Sequence, residues 1–219
     1  EPGELKQEAK DLGCLTPTAT VLEEAIKGEV NLIFAHHPLI FRGIKSLEQR
    51  DPLGGMILRA AAQGIGIYSA HTNFDQIARG TACLLAQAIG LGETWAMEIT
   101  GEGRGYGRVA DLPQSIPLKD LLTRVQVALK PERLLHSPAP LDTLIRRVAC
   151  LGGSGASYLD QAVAASADAY ITADVKFHQF QEARDKGVVL IDAGHYATER
   201  PAMAGLVEDF QALGVSKVK

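Results

Sequence analysis

Apolar positions fall into two alternating patterns: compact runs of strand length, and longer stretches with helical spacing. Asn31 to Ala35 is an apolar run that stops at His36-His37-Pro38, and Ile65 to Ala70 is a second that stops at His71. Helical stretches separate and follow them: Val21 to Lys27, with Thr18 or Thr20 placed to cap it, then Leu53 to Gln63 and Gly80 to Ile89. Residues 1–10 are polar and read as loop or tail. The outline recurs later, with strands at Arg147 to Leu151, Ala169 to Ala173 and Val188 to Asp192. Helices are expected at Tyr158 to Ala167 and Lys176 to Lys186. A closing helix is expected from Arg200 to Leu213, with Pro201 in its first turn.

Buried strands alternating with helices predict an α/β fold of two similar three-layer αβα lobes with mixed, mainly parallel sheets. The lobes are expected at residues 1–100 and 141–219. Residues 101–140 read as the connecting segment, because Gly101, Gly103, Gly105 and Gly107 are followed by four prolines between Pro113 and Pro138. A short helix is expected within it, near Leu118 to Leu129. The glycine run lacks the strand–turn–helix setting of a dinucleotide fingerprint. In open parallel sheets ligands bind beyond the carboxyl ends of the strands, and His36, His37, His71 and Asp75 all fall just past such ends.

Composition narrows the class. Apolar residues are 46% and charged residues 22% of 219, which is ordinary for a globular protein. A formal net charge of −4 supplies no global attraction for nucleic acid. No apolar run approaches the ~20 residues of a membrane span. Cys14, Cys83 and Cys150 are too scattered for a disulfide framework and read as reduced core residues, which suits the cytoplasm.

Three constellations can carry chemistry, since imidazoles and carboxylates are the usual companions in metal sites. Neighbouring residues in a strand point to opposite faces. At a strand end, however, both rings of His36-His37 can serve one site, or one can ligate while the other is structural. Asp75 follows His71 by four residues and can face the same cleft, or can cap the helical pattern after it. His195 and Glu199, spaced by four, share one helix face, although a carboxylate also suits a helix's first turn without any ligand. Together they supply three histidines and two carboxylates. That is more than one tetrahedral ion needs and suits two divalent ions with water between them. Nitrogen and oxygen donors without thiolate allow Zn, Fe, Mn, Co or Ni.

These motifs, in this order, resemble the dinuclear-metal family of YbgI and Nif3-like proteins, commonly described as type 2 GTP cyclohydrolase I. The resemblance rests on Ala35-His36-His37-Pro38-Leu39-Ile40-Phe41, Ser69-Ala70-His71-Thr72-Asn73-Phe74-Asp75 and Gly194-His195-Tyr196-Ala197-Thr198-Glu199. A fourth match is Leu151-Gly152-Gly153-Ser154-Gly155 followed by Tyr170 to His178. It implies His36, His37, Asp75, His195 and Glu199 as metal ligands, with Glu199 bridging. It implies His71 and His178 as groups that orient ligands or move protons, and Asp174 can orient His178 or simply cap a strand end. Relatives usually carry a further opening segment and a further closing strand, so trimmed ends are expected. Where they usually have Thr-Gly-Asp, this chain has Thr172-Ala173-Asp174, so a methyl group is expected to tighten that loop if position 173 takes a positive φ.

The expected function is a metal-dependent hydrolase acting on a nucleotide, with GTP ring opening at C8 implied by the resemblance. Triphosphate contacts are expected from Arg42, Lys45, Lys176 or the backbone amides of Gly152 to Gly155. The rival readings are a metal-binding regulatory or scaffold protein without turnover, and a two-metal phosphoesterase. The resemblance also implies a homohexamer.

Overall fold

A computed structural model describes residues 10–212. Apart from Lys10, the expectation for the opening residues lies outside them. The chain forms two compact units, one made of residues up to Phe74 together with those from Met203, the other running from Asp75 to Ala202.

In the first unit, β1 (Asp11–Cys14), α1 (Ala19–Lys27), β2 (Leu32–Ala35), α2 (Pro52–Ala62) and β3 (Gly66–Ser69) alternate, and a short α3 (Thr72–Asp75) follows. The three strands form a parallel sheet in the order β1-β2-β3. Thr18 caps α1, its hydroxyl accepting the Val21 N–H at 3.2 Å. Asp51 caps α2 through the Gly54 N–H at 2.7 Å. Leu12, Leu22, Ala25, Ile33, Ala60 and Ile65 make the core, where a fully buried Leu or Ile contributes roughly 1.5–3 kcal/mol. Among the described residues, the strand expected to be buried at Ile65 to Ala70 is instead an outer strand with one neighbour, and Gly66 and Tyr68 are exposed.

The second unit contains α4 (Thr81–Ile89), β4 (Trp95–Gly101), β5 (Arg104–Pro117), α5 (Leu118–Leu129), β6 (Leu135–His136) and β7 (Leu144–Cys150). Next come α6 (Leu159–Ala164), β8 (Ala169–Thr172), α7 (Phe177–Asp185), β9 (Val189–Asp192) and α8 (His195–Ala212), whose last part, from Met203, belongs to the first unit. Six strands pair in the order β4-β5-β7-β8-β9-β6. The β7-β8-β9 centre is parallel and the flanks antiparallel. Successive residues of the central strands go to opposite layers. Val148, Ala169, Ile171 and Ile191 pack with Leu85, Leu121 and Val125 of α4 and α5. Ala149, Tyr170 and Leu190 pack with Leu159, Ala162 and Ala183 of α6 and α7. This unit is therefore a sheet covered on both faces.

Residues 101–140 are not a connection. They supply β5, α5 and β6 of the six-stranded sheet, and the boundary between units lies at Asp75 rather than at residue 100. Of the glycines spaced by two, Gly101 ends β4, Gly103 makes the turn at φ 66°, and Gly105 and Gly107 lie on β5. A Cβ at Gly105 would lie 2.4 Å from the Glu98 carbonyl and 2.6 Å from the Ala96 Cβ, so the close pairing of β4 with β5 requires glycine there. The closing helix starts at His195, which leaves Pro201 inside it rather than in its first turn. There the ring nitrogen forgoes one helical hydrogen bond. Among the described residues no helix is long and apolar enough to cross a membrane.

Candidate metal site

The parallel register of the first unit gathers three imidazoles. Ala35 pairs with Ser69, and the ladder continues past both strands: the His36 N–H donates to the Cys14 carbonyl at 3.1 Å and the Ala70 N–H to the Ala35 carbonyl at 2.9 Å. This sets His36 beside Ala70 and His37 beside His71. The buried His36 donates from Nδ1 to the Ala70 carbonyl at 2.8 Å. A carbonyl only accepts, so Nδ1 carries the proton and Nε2 presents its lone pair. His37 places Nδ1 2.7 Å from the Thr16 hydroxyl. Ring centroids lie 5.1 Å apart for His36–His37, 5.1 Å for His36–His71 and 5.7 Å for His37–His71. One ring nitrogen from each lies within 4.8 Å of the others, an arrangement that could hold a metal ion. The adjacent pair thus lies in one cluster, and His71 lies with it.

The second unit prepares a different pair. After β9, Asp192 accepts the Gly194 N–H at 2.9 Å, Gly194 turns at φ 79°, and α8 opens on His195. One helical turn brings Nε2 of His195 to 3.1 Å from Oε2 of Glu199, while Nδ1 lies 2.7 Å from Oδ2 of Asp174. The hydrogen bond to Glu199 raises the His195 pKa most. Burial opposes it and Asp174 adds to the rise, leaving it at about 9. Burial works to raise the Asp174 pKa, but hydrogen bonds from Ser154 and His195 overcome it and hold the carboxyl below its ordinary value. Glu199 is buried. Asp174 therefore braces His195, a partner that neither reading of it, orienting His178 or capping a strand end, names. The left-handed residue of its loop is Asp174 itself, φ 54°, so the methyl of Ala173 meets no positive-φ penalty. Only the folded loop reveals this brace, because 21 residues separate the partners.

The Gly152 to Gly155 loop packs against this pair. The Gly153 N–H donates to the Thr198 hydroxyl at 3.0 Å, and the Gly155 N–H to the Thr172 hydroxyl at 3.0 Å. The buried Tyr170 hydroxyl donates to the Gly155 carbonyl at 2.7 Å. Two of the amides expected to receive a phosphate are thus already engaged. At Gly153, φ is 66°, and a Cβ would meet Oε1 of Glu199 at 2.3 Å and Nε2 of His195 at 3.2 Å. The glycine keeps that space open around the donor atoms.

Asp75 ends α3 and accepts the Thr81 hydroxyl at 2.5 Å, at the start of α4. His178 is exposed on the first turn of α7, and Arg42, Lys45 and Lys176 are exposed as well. The donor chemistry fits divalent cations. It combines imidazole nitrogen and carboxylate oxygen, and His36 and His195 are each held through Nδ1, which leaves Nε2 as the coordinating atom of the ring, buried in His36 and beside Glu199 in His195.

Residues 3–218 match the family model described as Duf34/NIF3 (NGG1p interacting factor 3). A Nostoc protein named GTP cyclohydrolase 1 type 2 homolog is 53% identical over 220 residues, covering 100% of this chain and 84% of its own. The Schizosaccharomyces pombe Protein NIF3 homolog is 35% identical over 193 residues, covering 84% of this chain and 68% of its own. Among solved structures, the Staphylococcus aureus hypothetical protein SA1388 superposes with a TM-score of 0.85 at 26% identity, over 96% of this chain and 83% of its own. With this fold, these imidazoles and a match over nearly its whole length, the chain belongs to the Duf34/NIF3 (NGG1p interacting factor 3) family.

Proposed function

We propose that this protein is a dinuclear metal-dependent hydrolase. His36, His37, Asp75, His195 and Glu199 hold two divalent cations, and a nucleotide, GTP in the leading reading, is opened hydrolytically at C8. The observation that carries the reading is the gathering of His36, His37 and His71 with their ring nitrogens within 4.8 Å. Relatives named GTP cyclohydrolase 1 type 2 homolog support the substrate class. Bound divalent cations supply Lewis acidity and water acidified toward neutral pH. The chain's own residues orient and move protons. The Ala70 carbonyl fixes the His36 tautomer, Asp174 fixes His195, and His71 and His178 transfer protons between water and the leaving nitrogen. The protein works as a homo-oligomer, a hexamer in this reading, in the cytoplasm.

The test is incubation of metal-loaded protein with GTP and other nucleotides, with products followed by mass spectrometry. His37→Ala and Glu199→Ala should both abolish turnover and lower metal content. Equal turnover in both variants and the unaltered protein would reject catalysis at these residues. The family description as an interacting factor supports a second reading, a metal-binding regulatory or scaffold protein. Full metal loading without turnover of any nucleotide would favour it.

A further inference from the structure

Next to His195 the second unit contains a cavity of about 510 Å³, lined from the end of α5 to the first turns of α8. That volume lies in the range of small-ligand pockets. Tyr196, on its wall, is 63% exposed, a large ring one residue beyond a proposed metal ligand. Arg200 stands against it, its guanidinium 5.9 Å from the ring centroid while Nη2 donates to the Leu129 carbonyl at 3.0 Å. Such a braced aromatic face loses little freedom when a flat group stacks on it. The apolar side chain of Leu135, 51% exposed, lines the same cavity.

The charged residues of the wall are divided in their commitments. Asp192 accepts backbone N–H groups from Gly194 and Val175, one on each carboxylate oxygen. Lys130 and Arg133 are exposed on the rim and make no side-chain ion pair among the described residues, and Glu132 sits between them in sequence. Counting Arg200, three cationic side chains face two carboxylates, and the uncommitted charge is mostly positive. A stacking ring with two available cations is the chemistry that holds a nucleoside phosphate.

We propose that this cavity is the recognition subsite for a nucleoside monophosphate unit, its base stacked on Tyr196 and its phosphate held by Lys130 and Arg133. The inference rests on the reading of His195 as a metal ligand of the hydrolase, since the cavity abuts that residue. Calorimetry on the metal-loaded full chain tests it with three probes: GMP, guanosine and ribose 5-phosphate. Tyr196→Ala should weaken GMP and guanosine about tenfold and leave ribose 5-phosphate unchanged. Arg133→Glu should weaken GMP and ribose 5-phosphate but not guanosine. Metal content by mass spectrometry and circular dichroism verify that both variants keep their ions and fold. Unchanged GMP affinity in both variants, or no GMP binding by the unaltered protein, overturns the subsite. GTP turnover with an unmoved KM in both variants would overturn the subsite and keep the hydrolase. GMP binding lost in Tyr196→Ala, without turnover of any nucleotide, would keep the subsite and reject the hydrolase.

Discussion

A methyl group placed on Gly153 would stand 2.3 Å from Oε1 of Glu199, so glycine at 153 and the carboxylate at 199 occupy complementary space. Gly153→Ala therefore forces two costs. The backbone at φ 66° disfavours a side chain by roughly 1–2 kcal/mol, and the carboxylate must move from where α8 holds it. The urea midpoint should fall, and metal retained after gel filtration should drop well below that of the unaltered protein. Normal metal content in a variant destabilised only by the backbone term would separate the two and reject the contact.

Asp174 touches His195, so in the proposed centre its effect on an ion passes through that imidazole. Partners that fix a ligating imidazole are worth about 10–100-fold in metal affinity. Asp174→Asn keeps the size of the side chain but removes the charge that favours the bond to Nδ1 at 2.7 Å. Competition with a fluorescent chelator should show an affinity loss in that range. Ser154→Ala, which removes a donor to Asp174, should show a smaller one. An unchanged affinity in Asp174→Asn would mean the brace is irrelevant to binding.

Much of this was legible in the sequence, for reasons particular to each residue. The runs ending at Ala35 and Ala70 marked parallel strands, and the strand-end rule put His36, His37 and His71 on one rim, as the register does. The helices α1, α4, α5 and α7 fall within a residue or two of expectation. The glycines of β4 and β5 misled, because low side-chain volume reads as a linker. In fact Gly105 marks the close approach of a neighbouring strand, and which strand approaches is a tertiary fact. The role of Asp174 stayed open between orienting His178 and capping a strand end; the loop's left-handed turn delivers its carboxylate to His195, a contact that the order of residues does not show. Pro201 fits the first-turn rule, yet the helix begins six residues earlier, where Gly194 allows the turn.

Tyr170 links the sheet to the glycine loop. Its side chain is fully buried, and its hydroxyl donates to the Gly155 carbonyl at 2.7 Å. Burial pushes the phenol well above its ordinary pKa, so it stays a donor throughout the stable pH range. Tyr170→Phe keeps the ring packed among Ala149 and Leu190 but removes that donor. The loss should be about 1–3 kcal/mol, the cost of an underserved buried carbonyl. Denaturant unfolding checks it, and a loss below the resolution of the method would show that the loop does not depend on this bond.

Two thiols should resist alkylation. Burial raises the Cys150 pKa to about 12 and that of Cys14 to about 11. The reactive species is the thiolate, and a raised pKa keeps the neutral form as pH climbs, so at pH 8 both remain protonated in the folded protein. Peptide mapping after iodoacetamide should find them unmodified under native conditions and modified in urea. Rapid native labelling of Cys150 would contradict its place in the core.

Metal should stabilise the fold, because its donors come together only on folding. His36 meets the Ala70 carbonyl across 34 residues of sequence, and that bond commits Nδ1 and leaves Nε2, a buried atom, as the ring's other nitrogen. An unfolded chain offers the same imidazoles without this convergence, so its affinity for the ion is lower. A ligand that binds only the folded state at a hundred times its Kd adds about 2.7 kcal/mol. Titration with Mn or Zn should raise the thermal midpoint in a concentration-dependent way, and His36→Gln, which cannot ligate through an imidazole, should lose most of the gain. The carbonyl bond suits glutamine as a donor, so the variant should remain folded. A midpoint that rises equally in both proteins would place the stabilising ion somewhere other than the imidazoles of the first unit.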